Sequence, residues 1–329
     1  MLPVLTLPNG RTTSALGFGC SGLLRLPDSS DRQRLLATAV DHGIRHFDVA
    51  RLYGLGLAEA ELAPLLRLHK GQLTLATKFG LGDAAPPSAP SRRQGGMRRL
   101  LRTLPALRPI ARRVYGSRMV SRNFSAAHAR RSLHTSLSQL GVEAVDLLLL
   151  HEPTPADAID PEMEATLQEL QQLGLIGGFG LSGLWPDCRD LILARPGLAG
   201  RWLQWEDDLR EAAPALHSLP SGSLAGHGRF GRIRRSLQPI RQALEAVPEL
   251  QRHWSERLNC SLADSTVLAA ALLVGSLATD PSKLLLYATT DAERLARTLN
   301  LLHNPPWPAA EAIAFEAFWR PTTSPPSSP

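Results

Sequence analysis

The chain is 329 residues long, 43% apolar, and carries a formal net charge of +6. Its mean hydropathy is near zero, and no apolar run reaches the roughly eighteen residues of a membrane-spanning helix, so no membrane partner is expected. Three scattered cysteines, Cys20, Cys188 and Cys260, give neither a disulfide framework nor a zinc-ligand spacing. With no basic-then-apolar leader at the N-terminus, a metal-free cytoplasmic protein is expected.

The charge is regional. Residues 84–142 hold twelve arginines and no acidic residue, a local +12 that leaves −6 for the remainder. One basic patch is expected, not a general nucleic-acid binder. The arginines from Arg92 to Arg131 have only Tyr115 and Phe124 beside them for stacking on bases. Lysine occurs only at Lys70, Lys78 and Lys283, so a lysine closing an apolar strand is informative.

In chain order, Leu5 to Thr13 reads as a hairpin turning at Asn9-Gly10. A strand with close-approach glycines, Leu16 to Gly22, follows. Asp31 to Gly43 and Ala58 to Leu68 read as helices around a strand at His46 to Ala50, and Leu73 to Thr77 is the third strand. From Phe79 to Arg122 the rhythm breaks into proline, serine and arginine, a long loop of the kind that selects substrate, binds an acidic ligand or meets a partner. Ser125 to Leu140 is helical, and Leu147 to Leu150 is a strand apolar on both faces. A helix from Pro161 to Leu173 leads to strands at Leu175 to Leu181, Trp202 to Trp205 and Ala215 to Ser218. A second basic run, Arg229 to Arg235, precedes helices at Leu237 to Ala246 and Leu262 to Val274. The last strand is Leu284 to Ala288 and the last repeat helix Asp291 to Leu302, with Ala309 to Trp319 as an extra helix closing over the barrel. Eight strand–helix units without a split into halves predict an α/β fold, a single (β/α)8 TIM barrel over residues 1–320. Residues 79–124 form its inserted basic loop, and 321–329 a disordered Pro/Ser tail. A closed barrel has no sheet edge to pair, which fits a monomer or a weak oligomer.

Strand ends of such a barrel open on one face. Asp48, Tyr53, Lys78 and His151 all stand at or just past strand ends. Singly each has a structural reading: a turn cap, a packing ring, a solvated lysine, a core histidine. Together they suit proton transfer to a carbonyl oxygen. Tyr53 would be the acid, Lys78 would lower its pKa, Asp48 would orient Lys78, and His151 would position the carbonyl.

The segment Gly43-Ile44-Arg45-His46-Phe47-Asp48-Val49-Ala50-Arg51-Leu52-Tyr53-Gly54 resembles the first signature of the aldo-keto reductase family, and Asp146 to Pro153 resembles its central strand and histidine. The resemblance runs from Leu5 to about Leu302. It implies an NAD(P)H-dependent oxidoreductase that reduces an aldehyde or ketone, with hydride from nicotinamide and the proton from Tyr53. It also implies cofactor contacts at Gly22, Asp48, Ser182, Gly183, Gln204, His217, Ser218, Thr289, Thr290 and Arg294. Gly183 replaces a family asparagine, and His217 stands in for an aromatic that stacks on nicotinamide. Arg294 facing a 2′-phosphate points to NADPH rather than NADH. The substrate is expected to be a small carbonyl compound, apolar or acidic, with side chains near Leu23, Leu24, Glu152 and Trp185 lining its pocket. The competing reading is a nucleotide-sensing or partner-binding protein on the same fold, with weak or vestigial catalysis.

Overall fold

The computed structural model describes residues 2–54, 56–82, 121–222, 224–280 and 283–321. Most of the expected basic loop, and all but the first residue of the expected Pro/Ser tail, lie outside these residues.

Eight parallel strands close into a barrel: β3 (Leu16–Gly19), β4 (His46–Asp48), β5 (Thr74–Phe79), β6 (Leu147–His151), β7 (Phe179–Gly183), β8 (Arg201–Glu206), β9 (Leu224–Phe230) and β10 (Lys283–Tyr287), with β10 pairing back onto β3. Each strand lies beside its neighbour in chain order, as right-handed strand–helix crossovers dictate. The helices are α1 (Ser29–Asp41), α2 (Leu57–Leu68), α3 (Ala126–Leu140), α4 (Met163–Gln172), α5 (Trp185–Ala194), α6 (Arg232–Ala246), α7 (Pro248–Arg257), α8 (Ser265–Thr279), α9 (Ala292–His303) and α10 (Ala309–Phe318). The predicted barrel with an N-terminal hairpin is therefore the observed one. β6 is buried along its whole length, with helices outside and packed side chains inside. α3 starts where the Ser125 hydroxyl accepts from His128 N at 3.3 Å, a conventional serine cap.

The hairpin of β1 (Val4–Thr6) and β2 (Thr12–Ser14) covers the N-terminal end of the barrel. Asn9 and Arg11 at its turn both donate to Asp146 Oδ1 at 2.9 Å, and Arg11 also donates to the carbonyls of Gly71 and Leu73. Asp146 Oδ2 accepts from Leu75 N at 2.8 Å, so one buried carboxylate ties the hairpin to the starts of β5 and β6. With that end covered, the C-terminal ends of the strands form the open mouth.

One expectation is corrected. Residues 215–218 are not a strand: Leu216–Ser218 is a 3-10 turn, and the strand is β9. Pro214 and Pro220 bracket that stretch, and proline lacks the N–H an interior strand must donate on both sides. α7 was not foreseen. α10 packs along α8 on the flank of the barrel.

That flank holds a buried ionic cluster. Arg232 donates to Asp207 at 2.6 Å, to Glu316 at 2.5 Å and to Ser276 at 2.9 Å. Lys283, fully buried beside it, has a Thr279 hydroxyl at 3.5 Å. Burial, with the Arg229 and Arg232 guanidinia nearby, pushes its ammonium down to about 7. A lysine whose folded pKa lies below its unfolded value destabilises the fold at neutral pH, and the penalty fades as pH rises toward the unfolded value. Lys283→Met should therefore be more stable than wild type at pH 7 by about 1–4 kcal/mol. Denaturant titrations at pH 7 and pH 10 check this, the advantage shrinking at the higher pH.

Candidate active site

Asp48 ends β4, and the chain then turns across the mouth. Val49 N donates to Ala76 O at 2.9 Å, and Tyr53 N donates to Ala50 O at 2.9 Å. Gly54 is left-handed, with φ of +62°, and a Cβ there would stand 1.8 Å from Leu24 Cδ1. Only glycine lets the turn close and aim the Tyr53 phenol inward. Lys78 comes from β5. Its Nζ donates to Asp48 Oδ1 at 2.5 Å and to Val49 O at 3.2 Å, and lies 3.5 Å from Tyr53 Oη. His151, closing β6, stands edge-on to the Tyr53 ring, centroids 5.8 Å apart. Gln204 from β8 completes the Asp48 carboxylate, donating to Oδ2 at 2.9 Å, and approaches Ser182 Oγ at 3.4 Å. The four predicted catalytic groups thus meet at one end of a cleft of about 570 Å³.

Burial acts on Lys78, Tyr53 and His151. It pulls the Lys78 ammonium down, but the Asp48 carboxylate and Tyr53 outweigh it, and Lys78 ends above the ordinary lysine value. Burial pushes the Tyr53 phenol up, and Lys78 pulls against that without prevailing. The expected lowering of Tyr53 is thus reversed in its net direction: low dielectric around the phenol is the larger effect. His151 is pushed down to about 3 by burial, Lys78 and Arg122, and is neutral at pH 7.

The cleft continues from these groups past Ser182, Gly183 and Gln204 to Thr289, Thr290 and Arg294, with Gly22 on its wall. His217 and Ser218 are not part of it. Both are exposed in the 3-10 turn outside the barrel. Phe230, at the end of β9, lines the cleft instead. Of the pocket side chains expected near Leu23, Leu24, Glu152 and Trp185, only Glu152 lines the cleft. Two observations bear on what the cleft can hold. Gln204 Oε1 is buried without a hydrogen-bond partner and can accept from an amide N–H. Farther along, Arg234 and Arg294 present exposed guanidinia, held by Glu206 and Asp291. An elongated ligand with an amide at one end and phosphates at the other fits these residues. Among the described residues no group of three or more His, Cys, Asp or Glu could hold a metal ion, and no helix is long and apolar enough to cross a membrane.

The family model described as "Aldo/keto reductase family" matches residues 15–188, more than half of the chain. The chain belongs to the aldo/keto reductase family. It is 27% identical over 235 residues to D-threo-aldose 1-dehydrogenase of a Pseudomonas species, covering 66% of each chain. It is 30% identical over 206 residues to pyridoxal 4-dehydrogenase of Microbacterium luteolum, covering 56% of each. The matched region thus spans just under two thirds of the first relative and just over half of the second. The holo form of an aldo-keto reductase from Bacillus halodurans superposes with a TM-score of 0.68 at 18% identity, covering 96% of this chain and 97% of that one. An aldo-keto reductase from Klebsiella pneumoniae in complex with NADPH does so with a TM-score of 0.62 at 17% identity, covering 98% and 97%. At those identities the likeness is one of fold.

In this site, sequence reading missed two groups. Phe230 is announced only by an aromatic–glycine pair ahead of a basic helix. Glu59, an acid in the first turn of α2, is fully buried. It accepts from Thr77 Oγ1 at 2.8 Å and from Arg51 Nη1 at 2.8 Å, tying the turn before Tyr53 to the residue before Lys78. His46 is also neutral in the fold, pushed down to about 4 chiefly by burial. A histidine with a folded pKa below its unfolded value takes up a proton on unfolding, so stability falls as pH drops from about 6.5 to the folded value. The expected slope is about 1.4 kcal/mol per pH unit for each proton taken up. Urea titrations from pH 6.5 to pH 4 measure it, and His46→Gln should show a shallower slope than wild type.

Proposed function

We propose that this protein is an NADPH-dependent reductase of small aldehydes or ketones, with the cleft as its active site. The observation that carries the reading is the convergence of Tyr53, Lys78, Asp48 and His151 at one end of the cleft that also holds Gln204 and Arg294. Ser182, Gln204 and Phe230 would hold the nicotinamide end of the cofactor, and Thr289, Thr290, Arg234 and Arg294 its phosphates. When bound, that cofactor supplies a hydride to the carbonyl carbon.

The chain's own residues handle the oxygen. His151, uncharged, has one ring N–H, and on Nε2 that N–H donates to the carbonyl oxygen and fixes its angle. Tyr53 keeps its proton at neutral pH, because its phenol sits above the ordinary value. It gives that proton to the oxygen as negative charge develops there. The phenolate left behind lies beside the Lys78 ammonium, which stabilises it, and Asp48 keeps that ammonium charged and aimed. A phenol loaded at pH 7 suits reduction better than the reverse reaction, which needs phenolate.

The test is NADPH fluorescence titration followed by an aldehyde panel with Tyr53→Phe. The expected outcome is saturable NADPH binding in both proteins, and a kcat lower by about 100-fold or more in the variant, the scale of a lost general acid. Binding without turnover of any aldehyde in the wild type would favour the nucleotide-sensing alternative. Absence of NADPH binding would sink both.

A further inference from the structure

Among the described residues, the rim of the cleft is charged unevenly. Arg25, Arg234 and Arg294 line it, following β3, β9 and β10, three strands adjacent in the closed barrel. Directly across, β6 ends in His151 and then Glu152, which also lines the cleft. Glu152 has a left-handed backbone, with φ of +48°. Residues other than glycine hold that conformation only when their surroundings impose it. Glu152 N donates to Ser182 O at 2.6 Å. Its carbonyl accepts from Arg122 Nη2 at 2.5 Å, and that guanidinium is gripped by Asp157 at 2.7 and 2.6 Å. Gly183 packs against it so closely that a Cβ there would stand 3.2 Å from Glu152 Cα. The backbone is thus fixed on several sides, and the carboxylate is not. Glu152 is exposed, and no described residue bonds to its side-chain oxygens.

A carboxylate held on the rim beside His151 accepts hydrogen bonds and repels anions. Arg122, whose guanidinium feels the Glu152 charge, directs its hydrogen bonds to Asp157 and the Glu152 carbonyl. We propose that Glu152 selects the substrate: it accepts from the hydroxyl groups of an uncharged hydroxyaldehyde or hydroxyketone, and it rejects carbonyl compounds that carry a carboxylate. This rests on the reductase reading of the cleft. It departs from the apolar or acidic substrate expected from the sequence: among the described residues, the arginines that line the cleft lie on the side of the rim opposite Glu152. Gly183 gains a reason as well: a larger residue there would displace Glu152.

The experiment compares kcat/KM for two matched pairs, glyceraldehyde against propanal and succinic semialdehyde against butanal, in wild type, Glu152→Ala and Glu152→Gln. NADPH affinity is measured on each protein as a check of the cleft. Wild type should prefer glyceraldehyde to propanal and butanal to succinic semialdehyde. Glu152→Ala should lower the glyceraldehyde-to-propanal ratio about tenfold, the scale of one hydrogen bond to a charged acceptor. Glu152→Gln, which keeps the shape and removes the charge, should raise the succinic semialdehyde-to-butanal ratio about tenfold. Ratios that do not move in either variant, or a wild type that prefers succinic semialdehyde, would overturn the role of Glu152 while leaving the reductase reading standing. If wild type binds NADPH but turns over none of the four, the reductase reading falls and this proposal with it.

Discussion

The site depends on one ion pair taken out of water. Lys78 and Asp48 are 2% and 3% exposed, and at 2.5 Å each is the other's main compensation. Burying two charges is expensive unless the geometry is close and the remaining donors and acceptors are satisfied. Here they are: Gln204 takes the second Asp48 oxygen, and Val49 O and Tyr53 Oη face the other Lys78 protons. The sheet register makes the pair possible. Asp48 lies opposite Ala76, and Lys78 is two residues further along β5, so both side chains share the inner face and the longer one reaches back. A slip of one residue would turn Lys78 out toward the helices. The pair therefore fixes β4, β5 and β8 against one another, and the Tyr53 phenol is placed by what they fix.

What was legible in the sequence follows from this geometry. Asp48, Lys78 and His151 each close a short apolar run, and strand ends converge in a barrel whatever the details of its helices. The seventh barrel strand was illegible for a physical reason. Its sequence, Leu224-Ala225-Gly226-His227-Gly228-Arg229-Phe230, reads as a loop because two inner-face positions are glycine. Both make room for large neighbours: a Cβ at Gly226 would stand 2.7 Å from the Trp202 ring, and one at Gly228 3.1 Å from Gln204 Oε1. The apolar stretch Ala215 to Ser218 looked more strand-like and drew the assignment, and with it the mistaken places of His217 and Ser218. Glu59 was missed because an acid in the first turn of a helix is ordinarily solvated, and nothing local announces that Thr77 and Arg51 lie over it. The titration of Tyr53 was misjudged because a sequence names the neighbouring lysine and says nothing about the depth of burial.

Charge was the least legible property. Summed along the chain, Arg229 to Arg235 is a basic run. In the fold it disperses. Arg229 lies over the Trp205 ring at 5.2 Å and faces Asp207 and Asp280, each 3.7 Å away. Arg232 is buried between Asp207 and Glu316. Arg235 reaches Glu206, Asp208 and Glu211. Only Arg234 of the four lines the cleft, and Glu206 holds it there. A local charge sum therefore measures neither the field nor the function. What distinguishes a ligand-facing charge is whether the fold leaves it exposed in the cleft. By that criterion Arg229 and Arg232 belong to the architecture. Glu152 does not: its backbone is held in a conformation few residues adopt, and its side chain is exposed in the cleft with no described residue bonded to its oxygens. On the proposed role of Glu152, a main chain held in a sparsely populated conformation presents an exposed carboxylate at the mouth of the barrel to whatever enters.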